Sequence, residues 1–209
     1  MKKTAWVFIV FFALTIGIYP VAYLLFDMSR GLWATKPTEL LNNGIWKSSF
    51  YIHILFGGIA LLIGWTQFVK KFRSKYLHVH RMIGKLYLGS IFLSGLSGLF
   101  IAWYASGGVV AVTGFAGLAI GWLITTVMAY VAIRNKDIDE HQYWMIRSYA
   151  LCFAAVTLRI WLPLFQFGFG MDFFVAYRII AWLCWVPNLF VAEAIIRNLK
   201  TSHLSHRVV

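Results

Sequence analysis

Apolar positions along this chain gather into six long runs, near residues 4–26, 49–69, 82–104, 109–133, 143–165 and 173–196, and most charged residues fall between them. Each run is close to the roughly 20 residues that a helix needs to cross the hydrocarbon core of a bilayer. In lipid a spanning segment has to satisfy its own backbone hydrogen bonds, which runs of this length do as helices. The pattern therefore predicts an all-α fold: an integral membrane bundle of six transmembrane helices, forming one domain over residues 1–209. The first run follows Lys2 and Lys3 as a secretory leader would. It is too long for a leader's apolar region, carries Pro20 and lacks a small-x-small cleavage site, so it reads as a retained span.

The connectors set the expected orientation. Lys2 and Lys3, then Lys70, Lys71, Arg73, Lys75, Arg81 and Lys85, then Arg134 and Lys136, then Arg197, Lys200 and Arg207 all fall on one side of a six-span path. Basic connectors stay cytoplasmic, so both termini are expected inside, in a multi-pass protein of a bacterial inner membrane. The other side receives a long connector, 27–48, and two tight ones, 105–108 and 166–172. The long one contains Pro37, Asn42, Asn43 and Gly44 and is expected to be irregular structure capping the outer face.

Composition agrees with a membrane location. Hydrophobic residues make up 61% and charged residues 12% of the chain, against roughly a quarter charged in soluble domains. The net charge of +12 would suggest a nucleic-acid partner in a soluble protein. Here the placement of most of it in the connectors of one side, with the opposite long connector mixed in charge, assigns it to topology, and the expected partner is the lipid bilayer. Cys152 and Cys184 lie inside spans without metal spacing and read as buried free thiols.

Helical periodicity places the polar residues of each span on particular faces. In the fifth run His141, Met145, Ser148, Cys152, Ala155 and Arg159 share one narrow stripe, with His141 and Arg159 about 27 Å apart along the axis. Leu151, Phe153, Val156, Leu158 and Ile160 occupy the remaining circumference and are expected to face lipid. His53, Gly57, Ala60, Gly64 and Gln67 repeat the device in the second run, and His80, Gly84, Tyr87, Ile91, Ser94 and Gly98 in the third. The fourth run carries Gly114, Gly117, Gly121 and Thr125. Small residues at such spacings allow close helix approach, but packing does not require histidines.

By depth the polar ends fall into two clusters. His80, His141 and Gln67 lie near the inner surface with Arg81, Arg147 and Glu193 close by; His53, Arg159 and Arg178 lie one to two turns below the outer surface. Arg147 sits off the stripe, where snorkelling or pairing with Glu193 also accounts for it. A cation at the outer end opposes the topology bias and persists where it has a partner: a small anion, a quinone carbonyl, a haem propionate, or a carboxylate such as Asp172. Candidate binding residues are accordingly His80, His141, His53, Arg159, Gln67, Arg147 and Arg178, with His80 and His141 as the metal-ligand pair.

The segments "HILFGGIALLIGWTQF", "HVHRMIGKLYLGSIFLSGLSGLFIAW" and "DEHQYWMIRSYALCFAAVTLRIWLPLF" resemble the motif blocks of the bacterial predicted-membrane-protein family called domain of unknown function number 2306. The resemblance covers about residues 50–165. Its histidine motifs are matched by His80, Arg81 and Gly84 and by His141, Trp144, Met145, Arg147 and Ser148. More loosely, the third run is similar to transmembrane cytochrome b and ferric reductase bundles, in which H-x-x-x-G precedes an apolar span. A second, outer haem of that group would need a further outer histidine, and only His53 is available.

Two functional classes follow. In one, the bundle is a redox protein holding a b-type haem or quinone, with neutral histidines of facing helices as axial ligands, His80 and His141 foremost. In the other it carries a small solute, an ion or protons, or helps assemble a membrane complex, using ionisable residues at both ends of small-residue stripes. The pattern shows neither inverted repeats nor broken helices, which weighs against a secondary transporter. A mononuclear metal held by His78, His80 and His141 is a weaker signal. A hydrolase is weaker still, since no serine, cysteine or carboxylate dyad has the neighbours it needs.

Overall fold

The computed structural model describes residues 3–25 and 33–207, apart from the side chains of residues 24 and 203–207. Lys2, the part of the long connector at 26–32, and the side chains of His203, His206 and Arg207 lie outside the described residues. Every regular element among those described is helical. Six helices are long and apolar enough to cross a membrane: α1 (Lys3–Val21), α2 (Gly44–Phe68), α3 (Leu77–Ala102), α4 (Val109–Arg134), α5 (Ile138–Gly168) and α6 (Phe173–Ser202).

Local sequence explains their ends. The Asn43 side chain accepts from the Trp46 amide to start α2, Asp137 accepts from the Glu140 amide to start α5, and Asp172 accepts from Phe174 and Val175 to start α6. Each satisfies an amide that the first helical turn leaves unpaired. Lys136, with φ of 64°, closes α4 in the left-handed conformation. Gly107 and Gly108, also at positive φ, make the tight turn between α3 and α4.

Close approach of the helices rests on small residues. A Cβ on Gly58 of α2 would come within 2.7 Å of the Gly17 carbonyl oxygen of α1, and one on Gly114 of α4 within 2.8 Å of Ala181 of α6. Gly64 leaves space for the rings of Tyr149 and Tyr87. The core lies where these faces meet, around Leu61, Tyr87, Ile91, Leu151 and Val156.

Helix α5 runs through the middle, touching α1, α2, α4 and α6. This corrects the expected lipid face of the fifth run: Leu151 is 2% and Val156 0% exposed, because a helix with neighbours on several sides buries most of its circumference.

Two spans are interrupted, against expectation. Helix α5 breaks at Phe153 and α6 between Leu183 and Val186. Pro187 has no amide proton to continue the α6 ladder. The exposed groups are satisfied across the break: Asn188 Nδ2 donates to the carbonyls of Ala150 (3.1 Å) and Cys184 (3.0 Å), and Thr157 Oγ1 donates to Cys184. Since the Ala150 carbonyl is the one the Ala154 amide would use in a continuous helix, this cross-tie also explains the break in α5. Past Pro163, α5 ends in a π-helical turn, Leu164–Gly168.

The long connector is not wholly irregular. It contains a 3-10 turn, Trp33–Thr35, and a helical turn, Thr38–Leu41. It reaches over to the α3–α4 turn, where Lys36 Nζ donates to the Tyr104 carbonyl and Thr35 Oγ1 meets Ser106 Oγ at 3.0 Å. Burial pushes the Lys36 amine down to about 8. Trp33 packs edge-on against Trp46, Phe50 and Tyr51.

Candidate functional site

Antiparallel spans bring His80, in the first turn of α3, and His141, in the first turn of α5, to the same end of the bundle, which also holds the Lys70–Lys75 helix. This is the basic end. The His141 Nδ1 lies 2.8 Å from the Ala129 carbonyl of α4. A carbonyl only accepts, so Nδ1 carries the proton, and the neutral ring presents a bare lone pair on Nε2. The His80 Nδ1 is buried without a hydrogen-bond partner. The two imidazoles lie within electrostatic reach of each other, and the Arg73 guanidinium within reach of both.

Gln67 is buried in the closing 3-10 turn of α2, its Nε2 donating to Thr66 Oγ1 at 3.1 Å. Its Oε1 faces Gly84 of α3, one turn beyond His80; a Cβ there would meet this oxygen at 3.7 Å and nothing closer. The Gln67 amide thus packs on the Gly84 face next to His80. Two shallow depressions at this end, one lined by Asn135, Lys136, Asp137, Ile138 and Asp139 and one by α6 residues around Glu193, do not include the histidines.

Arg147 is engaged elsewhere. Its Nε and Nη2 donate to the two carboxylate oxygens of Glu193 at 2.5 and 3.0 Å, and its guanidinium stacks over the Trp144 ring at 4.5 Å. A forked donor matched to a carboxylate near the basic end of the bundle is the pairing that the off-stripe position allows. His78 is exposed, and among the described residues no three of His, Cys, Asp and Glu gather as a metal site.

Toward the membrane centre the α5 stripe continues into a buried hydroxyl chain. Ser148 Oγ meets Tyr87 Oη at 3.0 Å and Thr126 Oγ1 at 2.8 Å, and Thr126 in turn donates to the Trp122 carbonyl. Ser90, one turn along α3, is buried with its hydroxyl unpartnered. Cys152 and Cys184 are buried free thiols.

At the far end, His53 of α2 fits against Gly98 of α3, whose missing Cβ would sit 2.7 Å from Nδ1. Nδ1 donates to the Ser94 carbonyl at 2.9 Å, and Ser94 Oγ donates to the His53 carbonyl at 2.8 Å. Arg159 of α5 acts electrostatically on His53, so the structure brings these two together. Its guanidinium lies 4.7 Å from the Tyr19 ring centre, with Tyr23 also in reach. Arg178 does not join them by any hydrogen bond among the described residues; it is exposed, and its Nε donates to the Gly107 carbonyl at 2.9 Å. Asp172 is taken up as the α6 cap.

Three participants were invisible to sequence reading. Arg73 is hidden among the other basic residues of its connector, and Tyr19 and Tyr23 carry no pattern that ties α1 to Arg159.

Among known proteins, the family described as Predicted membrane protein (DUF2306) matches residues 50–196, from within α2 to within α6 and across both clusters except for the α1 tyrosines. Neither the curated proteins nor the solved structures contain a match to this chain.

Proposed function

The chain belongs to the predicted-membrane-protein family DUF2306, and on that premise we propose that it is a redox protein of the bacterial inner membrane, with His80 and His141 holding a b-type haem near the cytoplasmic face. The observation that carries this reading is the orientation of His141. A ligating imidazole characteristically donates its second nitrogen to a carbonyl, which fixes the tautomer and aims the lone pair, as the Ala129 carbonyl does here.

The remaining residues fit such a group. His80, on a different helix, supplies a second imidazole with a buried nitrogen that nothing else uses. Gly84, lacking a side chain, has only the Gln67 amide against it, and Arg73, whose charge acts on both imidazoles, would serve as counter-ion to a propionate. When bound, the haem would supply one-electron transfer. Gln67, buried at the same end, turns its Oε1 acceptor toward Gly84 and would accept from a polar donor on the group.

The test is the haem content of His80→Ala, His141→Ala and the double variant, purified from haem-replete cells. Residues that act as a unit do not add, so each single change should remove most of the haem, and the double should be no worse. Wild-type haem content in both single variants would refute the ligand assignment.

One observation favours the second reading, carriage of a small solute, ion or protons. Paired mid-membrane interruptions such as those of α5 and α6 expose carbonyls where transporters place their sites. In this chain Asn188 and Thr157 occupy those carbonyls. Proteoliposomes that move protons or solute in a manner abolished by Asn188→Leu, without haem, would select this reading.

A further inference from the structure

Around Arg159 the membrane-spanning part of the bundle holds a cation with no anion on it among the described residues. The side chain is partly buried, and its one hydrogen bond among the described residues runs from Nη1 to the carbonyl of Ala155, a turn back in its own helix, at 2.8 Å. A guanidinium has five N–H donors, and a buried cation is kept where something compensates it. The groups that act on it among the described residues are the rings of Tyr19 and Tyr23, and neither is an anion at neutral pH. The six described carboxylates are placed otherwise: Glu193 on Arg147, Glu140 near Lys200, Asp137 and Asp172 on helix starts, Asp139 in the first turn of α5 at the basic end, and Glu39 exposed in the Thr38–Leu41 turn of the connector. His53 is committed through Nδ1 to the Ser94 carbonyl, which leaves an acceptor rather than a second cation beside Arg159.

The surroundings also indicate the direction of entry. Tyr19, whose ring covers the guanidinium, is 41% exposed, and Ile160, the next residue after Arg159, is 44% exposed. Both lie within spans, so this exposed surface faces lipid. A ligand that reaches Arg159 by this route has an apolar body. We propose that Arg159, Tyr19 and Tyr23 form a site for the oxyanion headgroup of an amphiphile, a carboxylate or a phosphate, entering from the bilayer at the end opposite the basic connectors. This site is separate from the histidine pair and stands whether or not that pair holds haem.

The test is binding to the purified full-length chain in neutral detergent, followed by native mass spectrometry and thermal shift. The probes are oleate, dioleoyl phosphatidylglycerol, dioleoyl phosphatidylcholine, and inorganic phosphate with acetate. The expected result is retention and stabilisation by one or both anionic amphiphiles, with weaker effects of the zwitterionic lipid and the free anions. Preference between oleate and phosphatidylglycerol identifies the carboxylate or phosphate source.

Arg159→Gln should weaken anionic binding about 10- to 100-fold, the usual value of charge-assisted hydrogen bonds, and Arg159→Lys by less. Should Arg159→Gln fail to accumulate, Tyr19→Leu, at an exposed position, tests the same site and should weaken binding severalfold. Equal binding of phosphatidylcholine, or undiminished anionic binding in the variants, would overturn the proposal. So would instability of Arg159→Gln that Asp27→Asn relieves, since that result would make Arg159 one half of a protein ion pair.

Discussion

Removal of the Ser148 hydroxyl tests the packing that joins α3, α4 and α5. Ser148 and Tyr87 are both fully buried, and Ser148 Oγ links Tyr87 Oη to Thr126 Oγ1. In Ser148→Ala, Thr126 keeps its bond to the Trp122 carbonyl, so the main loss falls on the Tyr87 hydroxyl. A buried polar group deprived of its partner costs about 1–3 kcal/mol, and side-chain hydrogen bonds within membranes average about 0.6 kcal/mol with a maximum near 1.7. The two ranges place Ser148→Ala at about 1–2 kcal/mol.

Tyr87→Phe deletes the hydroxyl itself and leaves Ser148 bonded to Thr126, so its expected cost is lower, about 0.5–1 kcal/mol. In the double variant no hydroxyl is stranded. Its destabilisation should therefore fall short of the sum of the singles by about 0.5–1 kcal/mol. Reversible unfolding in mixed micelles, or steric trapping in bicelles, measures all three. Additivity within about 0.3 kcal/mol would show that the two hydroxyls do not interact and would refute the proposed meeting of α3 and α5.

Two other predictions test the ends of the bundle. Glu193→Gln removes the carboxylate from the forked pair with Arg147, whose side chain is only 17% exposed, and should cost about 1–3 kcal/mol while leaving unchanged the haem content proposed for the histidine pair; loss of haem in that variant would move Arg147 into that proposed site. Lys36 has an amine held near 8 when folded and near 10.5 when unfolded, so the unfolded chain binds more protons between those values; stability should rise with pH across that window and lie flat below it, and Lys36→Met should abolish the slope, which pH-dependent thermal unfolding would read directly.

Much of the architecture could be read from the sequence because a bilayer imposes one length and one periodicity. All six apolar runs are helices, and caps such as Asn43, Asp137 and Asp172 stand where polar residues meet apolar runs. The α5 stripe was legible for the same reason: Ser148 and Cys152 point inward because every third or fourth residue returns to one face. Local pattern failed where distant residues decide. Leu151 and Val156 are buried because other spans cover them, which a single helical wheel cannot show. The α5 break depends on Asn188, 38 residues away, taking the Ala150 carbonyl. Depth alone grouped Arg178 with Arg159; the fold sends Arg178 to the Gly107 carbonyl instead. The distinction between Arg147 and Arg159, one paired with a carboxylate and one with none among the described residues, needed the fold as well.

The most direct measurement for the histidine site is the optical spectrum of the full-length chain, purified from haem-replete cells, before and after reduction with dithionite. Two neutral imidazoles on one iron should give an intense Soret band and sharp visible bands on reduction, near one haem per chain, lost in His141→Ala. A colourless wild-type protein that still unfolds cooperatively would contradict the account of His80 and His141 as a haem ligand pair.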